Sequence, residues 1–261
     1  MQCSSQASWQ FDVQAGAAGE APVERAIAQI STNHVIGDIF RLVRSAARNY
    51  GAVRHSYHFT PIFHSQTSEE TVVDSAGFPP HWISLYEDRS FRTHDPIPDY
   101  IMGRGELLRW STAIEETVAR GTDEKVLQYF QAMRDSGLVH GIGIPVFGPR
   151  NRNAYMSYGF DDPRAIDDSD ACSALRAIAQ AAHTQICLLQ DRRSDHVILS
   201  AREKQVLEWI ARGKSNTDIA DILNISPDTI ATYVKRLFLK LEARERVGAT
   251  IKALRMGLIS L

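Results

Sequence analysis

Trp82, Tyr86, Asp95 and Trp110 are the residues of this 261-residue chain whose types and spacing most invite chemistry. Trp82 and Tyr86 stand four apart, so on a helix they share one face. An indole N–H, a phenol and a carboxylate between aromatic walls can hold a neutral ligand through a few directed hydrogen bonds. The same residues fit a plain aromatic core. Asp95 before Pro96 reads equally as a helix cap with proline at the first helical position, and Gly141 and Pro145 can simply shape a strand. The chemistry on offer is binding rather than catalysis. Neither a glycine-rich phosphate loop nor a Gly-x-Ser-x-Gly elbow occurs, and Glu115, Glu116, Asp161, Asp162, Asp167, Asp168 and Asp170 read as solvated faces and caps, so no enzyme is expected. His55, His58 and His64 do not suggest a metal. On a strand, residues three apart point to opposite faces, and the three read as scattered histidines.

A second group lies near the C-terminus. Ser200 precedes Glu203 and an apolar series, Val206, Leu207, Ile210 and Ala211, at helical spacing, and Ser200 with Glu203 spells a capping box. Arg212 and Gly213 end that helix. Asn216 to Leu223 make a second, and Ser226-Pro227 start a third, whose Ile230, Val234, Leu237 and Leu241 form one apolar stripe. The opposite side presents Asp228, Thr232, Lys235 and Arg236. Two helices, a short turn and a polar, basic outer face make a helix-turn-helix, whose second helix enters the major groove. Thr232, Lys235 and Arg236 are placed for base edges or adjacent backbone. Lys214, Ser215, Thr217, Thr229 and Lys240 are placed for phosphates.

The elements that must position the first group follow from periodicity. Val23 to Ser31 and Val35 to Asn49 read as helices, with Gly51 ending the second. Ala52 to Thr60 reads as a strand, Glu70 to Asp74 as another, and Pro80 to Glu87 as a short helix. Ala113 to Asp135 is mostly helical with a break at Gly121. Ile142 to Phe160 holds two strands joined at Gly148 to Asn153, and Asp170 to Gln190 is a long helix. Helices flanking a central, largely antiparallel sheet predict an α/β/α sandwich, so the fold class is α+β with an all-α C-terminal domain of four helices.

Charge divides the chain in the same place. Residues 197–261 hold 11 of the 29 Lys and Arg and 7 of the 31 Asp and Glu, a net of +4; residues 1–196 hold the remaining 18 and 24, a net of −6. An acidic sensor and a basic reader suit a DNA-binding protein. Residues 1–22 are expected as a loose tail, 23–190 as the sensor, 191–196 as a polar linker and 197–261 as the reader. No apolar run approaches a membrane span and no signal peptide is evident; Cys3, Cys172 and Cys187 lack metal-ligand spacing, which predicts reduced thiols in a cytoplasmic protein.

Glu203, Leu207, Gly213, Ile219-Ala220, Leu223, Ser226, Thr229-Ile230 and Lys240-Leu241 resemble the LuxR-type DNA-binding domain, with Asp218 where the family has glutamate and Tyr233 where histidine is common. Trp82, Tyr86, Asp95-Pro96, Trp110, Gly141 and Pro145 resemble the autoinducer-binding domain of quorum-sensing LuxR-type regulators. The resemblance implies an N-acyl-homoserine lactone as signal, a homodimer on inverted-repeat double-stranded DNA, RNA polymerase as a further partner, and no cofactor. It implies that Trp82 donates to the lactone carbonyl and that Asp95 accepts the amide N–H. Tyr86 and Trp110 would be walls, and Ser157 would bond the acyl carbonyl. Phe78 stands where the family often has tyrosine and cannot donate, which implies an altered signal or weaker binding. On the same alignment Tyr155 and Phe147 add aromatic bulk to the pocket. The alternatives are a regulator that binds DNA without ligand or ignores acyl-lactones, and a sequestering module acting through mixed dimers.

Overall fold

The computed structural model describes residues 22–60, 64–87, 89–191 and 197–259. Cys3, the expected tail except Pro22, and the expected linker except Asp191 lie outside the described residues. The sensor begins with α1 (Pro22–Ser31) and α2 (Ile36–Arg48), then β1 (Ala52–Phe59) and β2 (Val72–Ala76). Next come α3 (Pro80–Glu87), α4 (Arg89–Arg92), α5 (Ile97–Arg104), β3 (Leu108–Arg109), α6 (Trp110–Ala119) and α7 (Glu124–Asp135). The hairpin β4 (His140–Val146) and β5 (Ala154–Phe160) leads into α8 (Ser169–Asp191). The strands form one sheet in the order β2-β1-β5-β4-β3, antiparallel throughout.

Side chains alternate across such a sheet, so each strand feeds two cores. One face of β1, β4 and β5 gives Tyr57, Ile142, Ile144, Met156 and Tyr158 to a core closed by α1, α2 and α8. The other face turns toward α3, α5, α6 and α7. The expected α/β/α sandwich is therefore the observed architecture.

Several boundaries differ from expectation for local reasons. The second strand starts at Val72 rather than Glu70, because Ser65 to Thr71 are tied into a turn by Thr71 Oγ1 donating to the Ser65 carbonyl. The helix expected from Ala113 begins at Trp110, directly after the two-residue β3, which pairs with β4 and was too short to show as a periodicity. Pro96 does not open a helix; it precedes α5 as its cap residue, while Asp95 Oδ1 accepts from the Ile97 N–H at 2.9 Å.

The reader comprises α9 (Ala201–Ala211), α10 (Asn216–Leu223), α11 (Pro227–Lys240) and α12 (Arg246–Arg255). Ser200 and Glu203 form the expected capping box, Gly213 takes φ +78°, and Ser226 caps α11 with Pro227 in the first turn. Ile219, Ala220, Ile230, Leu237 and Leu241 bury together with α9 and α12. Among the described residues no helix is long and apolar enough to cross a membrane.

Candidate functional site

The second face of the sheet carries the cavity. Two cross-strand rows form its floor: Gly143–Ser157–Ser56–Ser75 and Pro145–Tyr155–His58–Val73. A Cβ at Gly141 would stand 2.4 Å from the Trp110 ring, and one at Gly143 would stand 2.5 Å from Ile101 and 2.6 Å from Tyr155. These glycines leave a flat strip on which the first residue of α6 lays its indole. Helix α3 supplies Trp82 and Tyr86, and α5 and α7 close the roof with Ile97, Tyr129 and Met133. The cavity has a volume of about 250 Å3.

All six residues expected at a ligand line this one cavity: Phe78, Trp82, Tyr86, Asp95, Trp110 and Ser157. Trp82 is 5 % exposed, with its ring 6.5 Å from and nearly parallel to that of Phe91 and tilted against Tyr86 and Tyr129. Asp95 is 7 % exposed and sits at the centre of a donor set. Its Oδ2 accepts from the Tyr86 hydroxyl at 2.9 Å, its Oδ1 from the Ile97 N–H, and Tyr129 adds a third donor. Burial raises its pKa to about 6 against the pull of these donors. A carboxylate has about four lone-pair positions, so three donors leave one open. The Ser157 and Ser56 hydroxyls lie 2.8 Å apart, and Trp110 and Ser157 both hydrogen-bond the Tyr155 phenol.

Three expectations need correction. Tyr155 is a wall of the cavity, but Phe147 is half-exposed and outside it; the chain leaves β4 at Val146, and the Phe147 backbone pairs with Gln180 of α8. His58, set aside among scattered histidines, is buried in the cavity wall, while His55 on the other face packs against Phe40 and Tyr158. Their opposite orientation follows from the strand, as expected. Lys240 is not free for a phosphate. Its ammonium is 2.7 Å from the buried Glu203 carboxylate and 3.0 Å from the Ile198 carbonyl. Burial would raise the Glu203 pKa, but Lys240 and Ser200 together hold it below the usual carboxylate range.

Sequence reasoning missed Ser56, His58, Ser75, Arg92, Tyr129 and Met133 of the wall. Alternation along Ala52 to Phe59 could have flagged Ser56 and His58, because polar residues recur on one face there. Tyr129 carried no such mark; it reads as one more apolar position of α7. Among the described residues no three His, Cys, Asp or Glu gather closely enough to hold a metal.

On the reader, Thr232, Lys235 and Arg236 are exposed along α11, opposite Ile230 and Leu237. Lys214, Ser215 and Thr217 are exposed at the start of α10, and Thr229 is half-buried in the first turn of α11, its hydroxyl 2.8 Å from Ser226. Ser215 forms a capping box with Asp218, so the aspartate found where the family has glutamate still closes the helix start.

A small-molecule cavity on one domain and a helix-turn-helix on the next define a ligand-sensing transcription regulator. Residues 36–186 match the autoinducer binding domain, and residues 197–253 match the bacterial regulatory proteins of the luxR family. The chain belongs to the LuxR family of quorum-sensing transcriptional regulators, with an autoinducer-binding and a DNA-binding domain. It is 32% identical over 187 residues to the HTH-type transcriptional regulator y4qH of Sinorhizobium fredii, spanning 70% of this chain and 56% of that relative. It is 30% identical over 199 residues to the transcriptional activator protein VanR of Vibrio anguillarum, spanning 75% of this chain and 80% of VanR. Its fold matches Escherichia coli SdiA with a TM-score of 0.70 at 20% identity, over 92% of this chain and 98% of SdiA. The match to SdiA in complex with octanoyl-rac-glycerol has a TM-score of 0.68 at 19% identity, over 90% and 93% of the two chains.

Proposed function

We propose that the cavity takes an N-acyl-homoserine lactone and that the loaded chain binds inverted-repeat promoter DNA as a homodimer. The observation that carries this reading is the open acceptor position on Asp95 beside the indole of Trp82. An amide N–H fills the former, and the indole N–H meets the lactone carbonyl. Tyr86 and Trp110 wall the ring. Ser157, backed by Ser56, bonds the acyl carbonyl where Phe78 cannot. Each polar atom of such a ligand then has a partner, and an unpaired one would cost about 1–3 kcal/mol. At about 250 Å3 the cavity lies just below the roughly 300–1,000 Å3 of ligand pockets, which favours a compact arm.

The regulatory step is linkage. A ligand that binds only the folded sensor stabilises it, by about 2.7 kcal/mol at a hundred times its Kd. A stable sensor dimer then sets two α11 helices roughly 34 Å apart, one DNA turn. RNA polymerase is the partner met at the promoter, and no cofactor enters. Titration of the chain with acyl-lactones, followed by binding to promoter DNA over a salt series, tests this. Lactone-dependent DNA binding that falls steeply with salt supports it, and DNA binding indifferent to every lactone refutes it.

A second reading, an acylated signal without the lactone ring, is favoured by Phe78 at the position of a usual donor and by the octanoyl-rac-glycerol complex of SdiA. A monoacylglycerol in the same titration separates the two.

A further inference from the structure

The floor and far wall of the cavity are polar where a plain hydrocarbon arm would lie. His58 Nδ1 is 3.2 Å from the Gln66 carbonyl, which can only accept, so Nδ1 carries the proton. Burial lowers the His58 pKa to about 4, even against that bond, so the ring is neutral and Nε2 is a lone pair. Arg92 lines the same cavity. One of its terminal nitrogens donates to the Thr71 carbonyl, while its buried Nε–H has no partner among the described residues. One segment after β1 holds both groups, for Gln66 and Thr71 belong to the same turn and Asp99 fixes it through the Gln66 N–H at 2.7 Å. The wall thus offers an acceptor and a donor, both held by the same turn.

We propose that the signal carries a hydroxyl on its acyl arm, which donates to His58 Nε2 and accepts from Arg92 Nε–H. This rests on an acyl-lactone being the ligand. A hydroxyl is the smallest group that answers both atoms. A keto oxygen answers Arg92 alone, and a methylene answers neither, leaving the buried Arg92 Nε–H without a partner. A carboxylate would lie beside Glu87, which lines the same wall. The hydroxyl can be an alcohol near the amide or a phenol at the end of a short aryl arm; both chemistries present the same O–H.

The test is a set of matched lactones: hydroxyalkanoyl, ketoalkanoyl and unsubstituted arms of one length, and a hydroxyaryl arm with its deoxy partner. Binding is read on the full chain by calorimetric titration. The expected result is at least tenfold tighter binding of one hydroxyl ligand than of its deoxy partner, with the keto arm between. In Arg92→Met and His58→Leu that preference falls to within threefold while the unsubstituted lactone still binds. Equal binding of hydroxyl and deoxy partners, or a keto arm tighter than the hydroxyl, overturns the proposal and leaves lactone recognition standing. No binding of any lactone overturns both. The wild-type comparison needs no variant, so a variant that fails to fold does not rescue the idea. Whether the alcohol or the phenol wins fixes where along the arm the hydroxyl lies.

Discussion

The two domains place their candidate functional residues in opposite ways. In the sensor, Trp82 and Trp110 belong to the apolar core and Asp95 is buried among its aromatics. In the reader, Thr232, Lys235 and Arg236 stand outside a core that closes without them. On the proposed function, binding and folding are therefore coupled in the first domain and separable in the second. A sensor whose site is its own core answers a ligand with stability. A reader must present its face to DNA whether or not a signal is bound, and its regulation has to come from elsewhere in the molecule.

The largest break of this contrast is Trp110→Ala. It removes a 4 % exposed indole from the glycine strip, and a loss of about 3–5 kcal/mol is expected in the sensor, with ligand binding lost alongside. Chemical denaturation followed by intrinsic fluorescence checks it; a variant that keeps its stability but not its ligand would uncouple what is claimed to be coupled. On the reader, Lys235→Ala and Arg236→Ala are expected to weaken DNA binding by about 1–3 kcal/mol each with melting unchanged. Lys240→Met should do the reverse. It leaves Glu203 buried without its cation and lowers the reader's stability by about 1–3 kcal/mol, somewhat below the cost of breaking a fully buried pair because Lys240 is part-exposed.

The pH response of the sensor sharpens the comparison further. Burial lifts the Asp95 pKa from 3.8 to about 6, so ionising it is harder in the folded domain than in the unfolded chain. By itself this group makes the empty sensor less stable as pH rises from about 4 to about 6. Amide recognition runs the other way, because only the carboxylate offers the open acceptor. Lactone affinity is expected to be full above pH 6 and to weaken toward tenfold for each unit below it, by calorimetric titration between pH 5 and 7. Affinity flat across that range would remove Asp95 from amide recognition. The smallest expected effect is Phe78→Tyr, which adds a donor to the wall and should tighten lactone binding by about 1 kcal/mol. No change would show that Ser157 already satisfies the acyl carbonyl.

The contrast also explains what the sequence disclosed. Thr232, Lys235 and Arg236 were legible because a helix has an inside and an outside, and the stripe of Ile230 and Leu237 fixes which is which. Lys240 was misassigned by the same logic. Its position in α11 looks outward, but its long side chain reaches back to a glutamate 37 residues away in sequence, a contact no local pattern announces. In the sensor, strands and helices followed from periodicity, yet Trp82 and Asp95 had two readings each until the resemblance weighted one. Tyr129 and Arg92 stayed hidden because α7 and α4 reach the cavity only through the packing of the whole roof. Phe147 looked like a pocket residue because it follows a strand that lines the pocket, but the chain had already left the sheet.

Scanning calorimetry of the full chain, with and without saturating acyl-lactone, tests the coupling most directly. The sensor transition is expected to rise by several degrees while the reader transition stays in place. If both move together the reader is not separable from the sensor, and if neither moves with any lactone that the titrations show to bind, ligand binding is not coupled to the sensor's folding; either result contradicts the account.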